Sequence, residues 1–210
     1  TTIQKNTAIV HTIEHTLAAL VGLGIDNVLI EIDGPEAPIM DGSSIDFVQK
    51  LQKAGIKEQD LDRDYLVIEE PFYYTDETTG TSYTLLPADN YQLTTLINFN
   101  STVLGKQYAS IEDISEFATE IASCRTFVFL HEIEQLLNQN LIKGGDLNNA
   151  VVIVDKLMDE AALKHLAEKL DKPNIKVEKT GILNTTKLQY INEPARHKLL
   201  DVIGDLALVT

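Results

Sequence analysis

Apolar and polar positions alternate along this chain in short, well-punctuated runs. Residues 7–10 suit a short strand. Thr12 then offers a helix cap before an Ala- and Leu-rich run that stops at Gly22 and Gly24, which predicts a helix over 13–21. "DNVLIEID" over 26–33 alternates at period two and predicts a strand. "GPEAPIMDGSS" is a Gly/Pro turn, and Ser43 or Ser44 caps an amphipathic helix running to Ala54. The next stretch, "KEQDLDRD" over 57–64, is charged and poor in apolar residues, and reads as a linker.

Beyond it, "YLVIEEPFYY", "TSYTLLP" and "YQLTTLINF" read as successive strands of one antiparallel sheet, because Tyr, Thr, Val and Ile dominate and turn residues separate the runs. Helices are expected over 114–122 and 130–140, a buried strand within "GGDLNNAVVIVD", and a further helix over 158–170 before Pro173. Asn192-Glu193-Pro194 places proline at a first helical turn and opens a helix over 195–208. Strands and helices without strict βαβ alternation predict an α+β fold in two layered units. A weak internal echo links "IEHTLAALVGLGI" with "RHKLLDVIGDLAL": both are amphipathic helices with a histidine near the start. Two copies meeting face to face would bring those histidines together.

Composition narrows the partners. The 210 residues carry a net charge of −15 and a pI of about 4.6, which repels a phosphate backbone and argues against nucleic acid. An anionic ligand would need a local positive site. Cys124 is the single cysteine, so no internal disulfide can form and a reducing cytoplasm is the simpler location. Neither a membrane span nor a signal peptide is read from the apolar runs. The chain starts at Thr1 without a capping or turn signal, as a piece of something longer would.

Only five histidines are present, so their placement is informative. His11, Glu14 and His15 spell H-x-x-E-H, the spacing of a zinc-peptidase motif in which both histidines share one helix. The cap at Thr12 places His11 before the first turn, so that geometry fails. Glu14 and His15 remain adjacent in the first turn, where the macrodipole favours an ionised carboxylate suited to act as a base. In the last helix His197 and Asp201 stand at i and i+4, stacked so that they could chelate one ion, with Asp205 a turn further on the same edge. A surface hydrogen bond or plain polar stripe explains that edge equally well until a partner is found. "CRTF" over 124–127 sets a hydroxyl and an aromatic ring beside Arg125, an arrangement able to serve an oxyanion or a sugar, or simply a buried Thr bonded to backbone. Nothing assigns Cys124 a base, which argues against a nucleophile.

Three segments, "TIEHTLAALVGLGIDNVLIEIDGPEAPIMDGSS", "SCRTFVFLHEIEQLLNQNLIKGGDLNNAVVI" and "NEPARHKLLDVIGDLAL", resemble the UDP-3-O-acyl-N-acetylglucosamine deacetylases, zinc amidases of lipid A biosynthesis, in the family's order and over nearly the whole chain. The resemblance implies that His15, His197 and Asp201 bind Zn2+ and that Glu14 is the general base. It implies that Thr126 stabilises the tetrahedral oxyanion and Phe127 contacts substrate. Lys198 would meet the nucleotide diphosphate, and Asp205 would orient a general-acid histidine.

It implies two α/β-sandwich domains packed through their helices with the active site between them. Residues 1–62 would be the C-terminal part of the first and 63–210 most of the second, with an acyl-chain passage around 130–154. It also implies further segments on both sides, including the general-acid histidine past Leu208, so this chain is expected to hold the metal site and base without the acid. Residues 155–181 resemble the longer forms fused to an acyl-carrier-protein dehydratase. A UDP-linked acylated glucosamine is the implied substrate and acetate the product. An H-x-x-E-H zinc peptidase and a non-catalytic zinc- or UDP-sugar-binding fragment are the alternatives.

Overall fold

The computed structural model describes residues 1–133, 149–155, 164, 168, 176–178, 181–183 and 187–209. The first elements are β1 (Thr2–Lys5) and β2 (Ala8–His11), an antiparallel hairpin that pairs Thr2 with His11 and Lys5 with Ala8. Asn6 turns it at φ 56°, a left-handed conformation that asparagine tolerates. Helix α1 (Glu14–Gly22) follows, one residue later than expected. Thr12 does not cap it: the Thr12 hydroxyl donates to Glu36 Oε1 at 2.8 Å, and Ile13 occupies the cap position without a side-chain bond.

Helix α2 (Ile45–Ala54) matches its expected span. The Ser44 hydroxyl, at its N-cap, donates to the His15 carbonyl at 2.7 Å, so a residue read as a cap ties α2 to α1. Segment 26–33 forms no strand, contrary to its alternation. Val28, Leu29, Ile30 and Ile32 are exposed, and no described strand lies alongside to complete the hydrogen-bond ladder on which a strand depends. Its start is held instead by polar contacts to the 57–64 region. Asp26 pairs with Arg63 at 2.9 Å, and Asn27 donates to Gln59 at 2.7 Å. Residues 57–64 are irregular and exposed.

The expected single antiparallel sheet is two separate hairpins. One joins β3 (Phe72–Thr75) to β4 (Ser82–Leu85), and the other joins β5 (Leu93–Asn98) to β6 (Lys106–Ile111). β3 is exposed throughout, whereas β5–β6 buries Ile97, Ala109 and Ile111 against the core. The helix expected over 114–122 is instead a 3₁₀ turn (Ile114–Glu116) capped by Asp113, then a wide π turn (Phe117–Ile121) closed by the Ala122 amide on the Phe117 carbonyl at 2.8 Å. The wider turn lets Phe117 and Ile121 bury completely together.

β7 (Phe127–Phe129) and β8 (Val151–Ile153) pair in parallel, and residues 130–133 begin a helix. The rest of that expected helix, most of the one expected over 158–170 and much of the 130–154 insert lie outside the described residues. Last comes α3 (Glu193–Leu206), with Pro194 in its first turn as its sequence indicates. The architecture is α+β, with small sheets.

α3 is the central element. One side packs on α1 and the other on β5–β6, where the Thr95 hydroxyl donates to the Ala195 carbonyl at 3.0 Å. Ala195, Leu199, Leu200 and Ile203 of α3 are wholly buried in one core with Ala18 and Ala19 of α1, Val48 of α2, Ile111 and Phe117. Burying a Leu or Ile side chain contributes about 1.5–3 kcal/mol, so this face supplies much of the drive for assembly. The helices meet so closely that a Cβ on Gly204 would lie 2.1 Å from the Glu14 carbonyl oxygen. The opposing atom is backbone and cannot swing aside. Gly204→Ala is therefore expected to destabilise the fold by about 1–3 kcal/mol through overpacking, despite a gain of about 1 kcal/mol in helix propensity. A lowered urea midpoint with an unchanged slope would show it; an unmoved midpoint would mean that the two helices have slack.

Candidate metal centre and base

The α1–α3 crossing sets the first turn of α1 beside α3. His15 and His197 meet edge to face, with ring centroids 5.0 Å apart and planes at 87°. Both rings are buried, and their Nε2 atoms approach the same oxygen, Asp201 Oδ1, at 3.6 Å from His15 and 3.4 Å from His197. One nitrogen from each ring and one carboxylate oxygen all lie within 4.8 Å of one another. The echo between the two histidine-bearing helices thus corresponds to a real contact.

The protonation states suit a cation. Burial lowers the His197 pKa to about 4, against an upward pull from Asp201, so the ring is neutral near pH 7. Its Nδ1 lies 3.0 Å from the Cys124 carbonyl oxygen, which can only accept; the proton is therefore on Nδ1 and the lone pair on Nε2. Burial alone would raise the Asp201 carboxyl, but His197, the His15 ring and the Lys198 ammonium outweigh it and hold Asp201 well below the usual carboxylate range. His15 Nδ1 is buried with no hydrogen-bond partner, and its Nε2 stands beyond hydrogen-bond range of Asp201. A buried ring nitrogen left without a partner costs about 1–3 kcal/mol, so this imidazole is under-satisfied as it stands. Two imidazoles and an ionised carboxylate form a three-ligand set of the kind that zinc takes while leaving a fourth position open. These residues fit a zinc ion.

The other residues singled out in the sequence are distributed around this group. Glu14 precedes His15 in the first turn of α1, and the Thr1 hydroxyl donates to Asp205 Oδ1. Lys198 donates to Asp201 Oδ2 at 2.7 Å, which leaves Oδ1 facing the imidazoles, and its ammonium stands 5.5 Å from the Phe127 ring centre. Phe127 begins β7 and packs edge to face on Phe99. Thr126 is pinned through its backbone: its N–H donates to the Gly42 carbonyl at 2.7 Å, and its carbonyl accepts from Val151 at 2.8 Å. Gly42 has φ +86°, and a Cβ there would strike the Asn149 carbonyl at 1.9 Å, so the "DGSS" turn requires glycine.

His11 lies in β2, outside α1, with its Nδ1 2.9 Å from the Thr2 hydroxyl. It cannot share a helix face with His15, and the H-x-x-E-H spacing does not describe one helical site. Arg125 is engaged by Glu193 at 2.9 Å and is not a free cation for an oxyanion or a sugar. Glu193, the partner of Arg125, is absent from the residues that the sequence singles out. The available signal was its place in "NEPARH", one helical turn before His197.

A profile described as UDP-3-O-acyl N-acetylglycosamine deacetylase matches residues 1–171 and 164–210. The chain belongs to this deacetylase family. A protein named bifunctional enzyme LpxC/FabZ from Bacteroides thetaiotaomicron is 46% identical over 209 residues, which is 100% of this chain and 45% of that protein. Its namesake from Chlorobaculum tepidum is 46% identical over 212 residues, again covering 45% of its length. A UDP-3-O-acyl-N-acetylglucosamine deacetylase from Citrifermentans bemidjiense is 38% identical over 209 residues, 99% of this chain and 60% of that protein. The chain thus spans roughly half the length of these deacetylase-family relatives. No helix among the described residues is long and apolar enough to cross a membrane.

Cys124 stays outside the chemistry. It is fully buried, and burial, then the Glu193 charge, pushes its thiol up to about 12. A thiol with a raised pKa is protonated and unreactive at lower pH. A thiol reagent at about pH 8 should therefore leave the native protein unmodified and label it once denaturant is added; rapid labelling of the native state would contradict this burial.

Proposed function

We propose that this chain carries the zinc site and general base of a hydrolytic deacetylase acting on UDP-3-O-(3-hydroxyacyl)-N-acetylglucosamine, releasing acetate in lipid A biosynthesis. The observation that carries the reading is the buried His15, His197 and Asp201 cluster, with Glu14 adjacent in sequence on the first turn of α1. A zinc ion there would supply Lewis acidity, polarising the acetamide carbonyl and making water acidic enough to attack at neutral pH.

The Glu14 carboxylate, in the first turn of α1, takes the proton from the attacking water. The Thr126 hydroxyl donates to the oxyanion of the tetrahedral intermediate. Phe127 contacts the sugar, and the Lys198 ammonium supplies the positive charge for the diphosphate that the acidic surface lacks. Asp205 accepts the N–H of a general-acid histidine and orients it.

In this reading residues 1–62 and 63–210 belong to two layered α/β-sandwich domains packed through α1 and α3, and the 130–154 region forms the acyl passage. The family's work is cytoplasmic, and a fused acyl-carrier-protein dehydratase accompanies the deacetylase in the natural chain. The bifunctional names of the relatives at 46% identity support the fusion.

Zinc content and competition titrations on wild type, His11→Ala, His15→Ala and His197→Ala provide the test. Zinc should be retained by His11→Ala and lost from the other two variants. Glu14→Gln should keep the metal while acetate release from the UDP-sugar falls by about 10²- to 10⁴-fold. Zinc lost on changing His11 and kept on changing His197 would overturn the assignment. Full zinc loading with no acetate release from the wild type would support the non-catalytic binding reading instead.

A further inference from the structure

Arg125 and Glu193 form an ion pair in which the Glu193 side chain is wholly inaccessible to water. Both carboxylate oxygens are doubly used. Oε1 accepts from the Arg125 backbone N–H at 3.1 Å and from its Nε at 2.9 Å; Oε2 accepts from Arg125 Nη2 at 3.2 Å and from the Gln189 N–H at 2.7 Å. Arg125 Nη2 also donates to the Lys187 carbonyl. Burying such a pair costs several kcal/mol per ion in desolvation, and an apolar replacement is often as stable, so stability alone does not account for it.

Its position does. Glu193 opens α3, and His197 stands one turn later on the same face. The irregular segment 124–126 is tied to that face at two points. Glu193 holds the backbone and side chain of Arg125, and one residue earlier the Cys124 carbonyl accepts the His197 Nδ1–H at 3.0 Å. One residue later Thr126 hangs from Gly42. A loose segment would let the Cys124 carbonyl drift, and a neutral imidazole without that acceptor divides between its two tautomers.

We infer that Glu193, through Arg125, is a positioning residue for the metal site: it holds the Cys124 carbonyl against His197 and so keeps the Nε2 lone pair directed at Asp201 and His15. This rests on the zinc reading above. It adds two residues, neither of which touches the ion, and a mechanism, the choice of tautomer. Removing an acceptor that orients a ligating histidine characteristically costs 10- to 100-fold in metal affinity.

The test has two arms. Long-range proton–nitrogen NMR of the metal-free wild-type chain should show His197 as a single Nδ1–H tautomer; an Nε2–H tautomer or an averaged ring overturns the inference without any variant. Zn2+ competition titrations should then show about 10- to 100-fold weaker binding for Glu193→Gln, at unchanged far-ultraviolet circular dichroism, with His197 tautomers mixed. Arg125→Lys keeps the charge pair but removes the fork, and should weaken Zn2+ binding in the same direction; it decides the matter if Glu193→Gln does not fold. Zn2+ affinity within twofold of wild type in a folded variant overturns the inference. A wild-type chain that binds no Zn2+ sinks the deacetylase reading instead, and the tautomer measurement still judges the clamp.

Discussion

The close crossing of α1 and α3 is the constraint on which the rest of the structure depends. A Cβ on Gly204 would meet the Glu14 carbonyl at 2.1 Å, so the absence of a side chain there lets the first turn of α1 rest against α3. That turn carries Glu14 and His15; the facing stretch of α3 carries His197 and Asp201. The same helices supply the apolar core, with Ala18 and Ala19 opposite Leu199, Leu200 and Ile203, so packing energy and site geometry come from one interface. Small residues on α1 bring the backbones together, and the larger side chains of α3 fill the space around them.

Electrostatics is organised around that crossing rather than across the surface. The molecule is strongly acidic as a whole, yet at the centre burial holds His197 neutral while its neighbours hold Asp201 ionised. These are the states in which imidazole and carboxylate ligate metals. Lys198 engages the outer oxygen of Asp201 and brings positive charge beside Phe127. The buried Arg125–Glu193 pair lies at the other end of the same α3 face, where its bonds run to backbone as well as side chain. An acidic protein can therefore present a His-His-Asp group able to hold a cation and a small basic position side by side, because both are local.

Elements whose sequence signals concern the chain's own neighbours were legible. Pro194 marked the start of α3, glycines the end of α1 and serines the start of α2. Elements that depend on a remote partner were not. Segment 26–33 alternates as a strand should, but no described strand lies beside it to complete its hydrogen bonds. β6 carries little apolar pattern, yet pairs along its whole length with β5. The stretch over 114–122 looks helical, but bringing both Phe117 and Ile121 into one core draws it into a π turn. Thr12 and either Ser43 or Ser44 suit caps by sequence; the Thr12 and Ser44 hydroxyls instead contact Glu36 and the His15 carbonyl, while the Ser43 hydroxyl accepts the Ile45 N–H at 3.2 Å.

The site divides along the same line. Spacing alone determined that His197, Asp201 and Asp205 share one helix edge, because that follows from the 3.6-residue repeat; His11 falls outside the helix that carries His15 because it ends β2, not because Thr12 caps α1. Only the tertiary structure decided that the two histidines, 182 positions apart in "HTIEHTLAAL" and "RHKLLD", face one carboxylate oxygen, that the Cys124 carbonyl selects the tautomer of His197, and that Arg125 is committed to Glu193. Helical periodicity is local and is written into neighbouring residues. The approach of two helices is set by shape and burial over the whole core, to which no short stretch of sequence has access.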